Sequence, residues 1–495
     1  TITGAADIDG AFTGITNLSI SGTANIGANV TTSGTQTYAG AVTLSGGNRT
    51  LTGTTVNTQS TLAGGSNALT ITGAADIDGA FTGITNLSIS GTSNIGANVT
   101  TSGTQTYAGA VTLSGADRTL TGSTINTQST LAGGSNALTI TGAADIDGAF
   151  TGITNLSISG TSNIGANVTT SGAQTYSGAA TLSANAELAG TGITLASVTL
   201  QSGSNPYTLS INNTDDLSAI HGVVSGTGAL VKKGTGTLSL NGDNTYSGTT
   251  SVNAGTLKLG HVNALGEAIA GSGTTVGANG ALDLNQLSVT EPVTVAGGRI
   301  LNGVLAGDMS LTADSTIEAA AGSSLTLSGD ITGSFGLTFS GGGVITLSGD
   351  NTFTGETVIS SGTVVVSSNT GLGSAAGGTT LASGATLDLA GVTVAGESLV
   401  LQGGTLKDAT SQWGGTISMT ADSTIDIGAN DTLIVNGVIS GAHVLTKLGA
   451  GTLELNAQNT YSGGTQINTG KVKLGHNAGP VSYTHLRAHE TKANI

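Results

Sequence analysis

The sequence predicts an all-β fold, a single-stranded parallel β-helix (β-solenoid). Three observations point to it: a long internal repeat, apolar residues on alternate positions, and a composition rich in glycine and poor in charge. The string TITGAADIDGAFTGITNLSISGT begins at Thr1, Thr70 and Thr139, so it recurs with a 69-residue period. The first two copies differ at five positions: Ala24/Ser93, Gly47/Ala116, Asn48/Asp117, Thr54/Ser123 and Val56/Ile125. Units this alike must pack well against their own copies, which is the condition a solenoid satisfies. The third copy drifts after Gly172, although 202–211 still echoes 64–73.

Inside each copy the apolar signal has period two. Leu18 and Ile20, Val42 and Leu44, and Leu69 and Ile71 each flank one polar residue, the pattern of a half-buried strand. Gly, Asn and Ser interrupt every four to eight residues, which is turn chemistry. No stretch of helical length has a 3.6-residue period. Since 69 is three times 23, the repeat reads as three turns of about 23 residues, within the range of solenoid repeats. Right-handed winding is expected by analogy with the crossover rule.

Composition supports the same fold and excludes several functions. Gly supplies 82 of 495 residues, 8% are charged, 3% are aromatic, and there is no cysteine. Mean hydropathy is +0.21, against the strongly polar composition of a disordered chain. Small aliphatic groups must therefore be buried in a narrow interior with many tight turns. The net charge is −16, and residues 1–231 carry only Arg49 and Arg118 as cations. No basic stripe for nucleic acid exists, and the acidity keeps a long exposed surface soluble. No run of 18 apolar residues is present. The chain opens within a repeat, so a targeting segment is expected to lie outside it.

A second repeat starts near residue 212, which divides the chain into an array of 69-residue repeats (1–211) and a continuation of the same solenoid (212–479). Residues 222–260 return at 437–475 with 23 of 39 positions identical, and a third version lies at 329–367. The repeated corners are Asn244, Tyr246 and Gly248; Asn351, Phe353 and Gly355; and Asn459, Tyr461 and Gly463. Their offsets, 107 and then 108, read as a whole number of turns. The pattern G-x-L-x-K-x-G-x-G-T-L-x-L…N-T-Y-[ST]-G…G-T-L-x-L-G resembles the autotransporter-associated β-strand repeat, also called the passenger-associated transport repeat. The middle copy departs from it, with Phe339 where the others have Lys232 and Lys447, and Phe353 for Tyr. The resemblance implies type V export in Gram-negative bacteria, with a β-helical passenger on a C-terminal outer-membrane barrel of the same polypeptide. The 69-residue repeats lie outside the motif and resemble adhesin-type β-helical repeats in general character. Residues 480–495 (PVSYTHLRAHETKANI) break the composition abruptly and resemble sequencing read-through, so they stand apart from the fold.

Candidate chemistry is sparse. Asn213, Thr214, Asp215, Asp216 and His221 resemble polygalacturonase signatures, whose carboxylates converge from successive turns; here they are compressed into less than one turn. Asp314 and Asp422 resemble aspartic-protease loops, but a Thr stands where the tight turn needs Gly, so a turn-capping role is expected. Asp7, Asp9 and their copies lack the further ligands of a calcium loop and read as solvated turn acids. His261, His443 and His476 have no metal-ligand spacing. The sequence therefore suggests no catalytic residue, no cofactor and no metal. Its predicted role is a surface-exposed or secreted adhesin-type rod, held at the outer membrane in the full-length protein. The expected partners are host or neighbouring-cell surface molecules or glycans, with many weak contacts summed along a repeated face. A structural stalk or export-promoting scaffold is the alternative, and a polysaccharide-acting β-helix comes third. Tyr38, Tyr107 and Tyr176, which recur at the 69-residue spacing, are either solvent-facing binding aromatics or corner-packing residues.

Overall fold

A computed structural model describes residues 1–267 and 273–475; the 480–495 segment lies outside the described residues. The chain divides into two compact units at Thr249/Thr250. Among the described residues every regular element is a strand, and with one hairpin excepted the strands pair in parallel. Both units are β-solenoids.

In the first unit three short strands make one turn: β1 (Ala6–Ile8), β2 (Phe12–Ile15) and β3 (Leu18–Ile20), with β4 (Ala24–Ile26) stacking in register on β1. The section is a three-sided prism. Alternation decides which atoms fill it, because successive Cβ atoms of a strand point to opposite faces. The inward stack Leu120, Ile140, Ile158, Tyr176, Leu195, Ile220, Leu240 runs along one side, each residue at most 1% exposed. One such stack per side, interdigitating with the other two, is the whole core. Parallel pairing satisfies the backbone groups of each turn on the turns above and below.

Each turn of the repeat array takes up less than a third of the repeat. Ala6 pairs with Ala24, Val42 with Leu62 and Val99 with Leu120, so the rise from one turn to the next consumes 18, 20 and 21 positions respectively. The 69-residue repeat is therefore three and two-thirds turns, and each copy begins one side of the prism away from the last. Phe12 stacks under Val30, Leu51 and Ile71 on the second side. Its copy Phe81 stacks on Leu62 and Val42 on the first side. Phe150 stacks on Leu131 and Val111 on the third. Sequence periodicity and turn periodicity are incommensurate. They can be, because every side offers the same kind of inward slot for a small aliphatic residue.

The three tyrosines follow this rotation. Tyr38 pairs with Ile20 on the third side, Tyr107 with Ile89 on the second and Tyr176 with Ile158 on the first. All are fully buried, so the solvent-facing alternative is overturned and there is no aromatic row. Each phenol donates to a buried glutamine two residues back: Tyr38 to Gln36 (2.9 Å), Tyr107 to Gln105 (2.8 Å) and Tyr176 to Gln174 (3.0 Å). Each glutamine amide in turn donates to carbonyls of its own and the next turn, as Gln105 does to Val99 (3.1 Å) and Thr121 (2.8 Å). A fully satisfied polar chain can sit in such a core without the penalty of an orphaned group.

The second unit has the same three-sided plan. Thr274, Val293, Met309 and Ile331 stack on one side, and Leu337, Thr357, Thr379, Leu399, Ile417 and Ile439 on the next. Ile331 and Ile439 hold the same place in two copies of the 39-residue motif, yet they occupy different sides. The 108-residue offset is five and one-third turns, which corrects the expectation of a whole number.

Candidate functional site

The repeated corners are locally alike although they face different directions. Asn244 Oδ1 accepts from the Val224 backbone N–H (2.8 Å), Asn351 Oδ1 from Ile331 (2.9 Å) and Asn459 Oδ1 from Ile439 (2.8 Å), in each case 20 residues back. The asparagine thus ties its corner to the turn below, and it is buried at all three places. The aromatic two residues on points inward: Tyr246 and Phe353 are fully buried and Tyr461 is 3% exposed. Glycine closes the motif for a steric reason. A Cβ on Gly248 would lie 2.0 Å from Gly228 O, on Gly355 2.1 Å from the Phe335 carbonyl carbon, and on Gly463 2.1 Å from that of His443. Any side chain there would push two stacked turns apart.

The motif lysine is an interior residue. Lys232 and Lys447 have no exposed surface. Lys232 Nζ donates to Lys233 O (2.5 Å) and Gly234 O (2.9 Å). Lys447 Nζ makes the equivalent bonds to Leu448 O and Gly449 O. Each ammonium caps the carbonyls of a glycine turn from inside the prism. Burial pushes Lys232 down to about 8, against the pull of Asp216, and lowers Lys447 likewise. Phe339 fills the same place with an apolar side chain, also fully buried.

Two buried glutamates went unrecognised in the sequence. Glu291 is 6% exposed and Glu397 2%, and each accepts a bond at 2.9 Å through Oε1, from Thr274 Oγ1 and Thr379 Oγ1 respectively. Burial pushes both carboxyls up to about 7, and the threonine bond offsets this in part. Their signal was present in two places: the strings GTT at 273–275 and 378–380, and E-x-[VL]-x-[VL]-x-G-G at 291–298 and 397–404. Glu397 also lines a cavity of about 640 Å³ on the side where regular strands give way to loops over 348–356 and 367–378.

The sequence candidates for chemistry are absorbed by turn bonding. Asn213 Nδ2 donates to Asp215 O and Thr237 O, Asp215 accepts from Leu217 and Ser218, and Asp216 accepts from Thr237 of the next turn. His221 lies 3.4 Å from Asn241, and among the described residues it has no hydrogen bond to a carboxylate. Asp314 and Asp422 each accept a backbone N–H at 2.8 Å, from Gly336 and Val444, and so hold turns as expected. Asp7 sits within β1 and accepts from Asn25 of the next turn (2.7 Å), so it belongs to an outward ladder and not to a turn. No group of three or more potential metal ligands occurs among the described residues.

The profile of the passenger-associated-transport-repeat family matches residues 230–259, 337–366 and 445–474. The chain is also 32% identical over 289 residues to the adhesin BmaC autotransporter of Brucella suis biovar 1 (strain 1330). That match covers 56% of this chain and 8% of the relative, so the chain spans a small part of that protein's length. No solved structure matches. The corners, the capping lysines and the stacked glycines are the physical content of the matched segments, and the chain is a β-solenoid that carries three passenger-associated transport repeats.

Proposed function

We propose that this segment is an adhesin-type part of a passenger, displayed at the cell surface or released from it, with an outer-membrane barrel elsewhere in the same polypeptide. Its partners on this reading are surface molecules of host or neighbouring cells, glycans among them. The observation that carries the reading is the 289-residue similarity to a protein named an adhesin. The geometry shapes how adhesion works. Equivalent patches of the 69-residue repeats face three directions, so a single flat partner cannot engage them together, and avidity from one repeated face is lost. Binding is instead expected at particular turns.

The test is adherence. Beads coated with the chain should bind cultured epithelial monolayers, and soluble chain should compete. Retention no greater than that of beads coated with an unrelated β-solenoid would remove the adhesin reading.

A further inference from the structure

We infer that the cavity beside Glu397 is a binding site for a neutral pyranose sugar. The inference rests on the adhesin reading in that it names the chemistry one local site would take.

Three features of the cavity carry it. First, its volume of about 640 Å³ falls within the roughly 300–1,000 Å³ of small-molecule sites. It exists because two successive turns lack the strand that the rest of this side carries. Second, Glu397 forms part of its wall, 2% exposed, with Oε1 bound to Thr379 and no donor to Oε2 among the described residues. The free oxygen is not among the sealed, unpartnered atoms of the core, unlike Oε2 of Glu291, so it is accessible from the cavity, where a ligand hydroxyl can meet it in place of water. Third, the rest of the wall matches a sugar. Thr352, Thr354 and Thr393 are exposed and carry hydroxyls that both donate and accept as vicinal diols do, while the exposed methyls of Ala375 and Ala395 present apolar surface for the C–H face of a ring, above the buried Leu372 and Val394.

The wall's charge selects among sugars. It contains no Lys, Arg or His, and the whole chain is strongly acidic, so uronic acids, sialic acids and sulfated sugars are repelled. A buried carboxyl held toward its neutral form can donate to one hydroxyl and accept from another. Glu291 repeats the carboxyl–threonine pair, so the cavity and not the carboxyl alone distinguishes the site.

The test is saturation-transfer NMR on the full chain with millimolar methyl glucoside, galactoside, mannoside and N-acetylglucosaminide. At least one should receive transfer. Glu397→Gln, which keeps the shape but fixes the donor pattern, should weaken it about tenfold, the worth of one hydrogen bond. Ala375→Phe, placed at an exposed wall position, should abolish it, with Thr354→Phe as a second block from a different turn. Emission of the buried Trp413 confirms folding of each variant. The inference is overturned by no transfer to any pyranoside, by transfer that survives both blocks, or by a stronger response to glucuronate or ethylamine. The two readings separate cleanly. Adherence without transfer to any pyranoside removes the sugar site and leaves the adhesin, whereas sugar transfer without adherence does the reverse.

Discussion

Replacing Glu397 with glutamine is expected to stabilise the second unit above neutral pH and to leave it unchanged in acid. The carboxyl is almost fully covered, and burial pushes it up to about 7 in the folded chain; unfolded, it titrates near ~4.3. A folded pKa above the unfolded one leaves stability intact below pH ~4, erodes it as pH rises through the window, and holds it at its minimum above pH 7. That separation corresponds to about 4 kcal/mol, and water in the adjoining cavity screens it to about 1–3 kcal/mol. Glutamine keeps an oxygen to accept from Thr379 Oγ1, so the one hydrogen bond survives. Trp413 supplies the assay. It is the single tryptophan, it is fully buried, and it stacks on Val394, three residues from the glutamate. Urea titrations of its emission at pH 4, 6 and 8 should give coincident curves in acid and a midpoint shifted upward for the variant at pH 8. A variant less stable than the native chain at pH 8, or a difference independent of pH, would refute the reasoning.

Other perturbations test the corners and the interior. Lys447→Met should destabilise the second unit by about 1–3 kcal/mol in thermal melts, because it strips the ammonium from the Leu448 and Gly449 carbonyls. Gly463→Val should open its corner to limited proteolysis, since its Cβ would lie 2.1 Å from His443 backbone; Gly10→Ala, whose Cβ meets nothing within 4 Å, should resist like the native chain. In a full-length protein carrying its barrel, bulky residues at Gly449 and Gly451 should lower the surface-exposed amount far more than the same changes at Gly64 and Gly65. The four sites are matched sterically, with Cβ approaches of 2.0, 2.3, 2.5 and 2.7 Å, so equal export defects would show that position along the passenger is immaterial.

The period-two strands, the glycine corners and the tripartite motif were legible because each is a local constraint: alternation, close approach, one hydrogen bond to the turn below. Turn length was not. Dividing 69 by three assumes that a repeat closes where a turn closes, and nothing local enforces this when Ala6 and Ala75 fill like slots on different sides. The capping lysines were readable as motif residues but not as interior ones, because a charged side chain enters the core only when turn carbonyls converge on it. Glu397 shared a repeated context with Glu291, but its burial was illegible for a related reason. A lone acidic residue between strands reads as solvated surface, and only the missing strands beside it create the cavity that it lines.

The mismatch between repeat and turn makes copy number an angular variable. Near-identical 69-residue units invite unequal recombination, and each unit gained or lost lengthens or shortens the solenoid by roughly 18 Å at about 4.8 Å per turn. It also swings whatever follows in the same solenoid through a third of a revolution. A lineage that changes its repeat count by one therefore presents a different flank of the downstream turns to the opposing surface, with no substitution anywhere. Three successive additions restore the original aspect farther out. Length and heading are set by a single genetic event, and strains that differ only in repeat count should expose distinct epitopes to the same antibody.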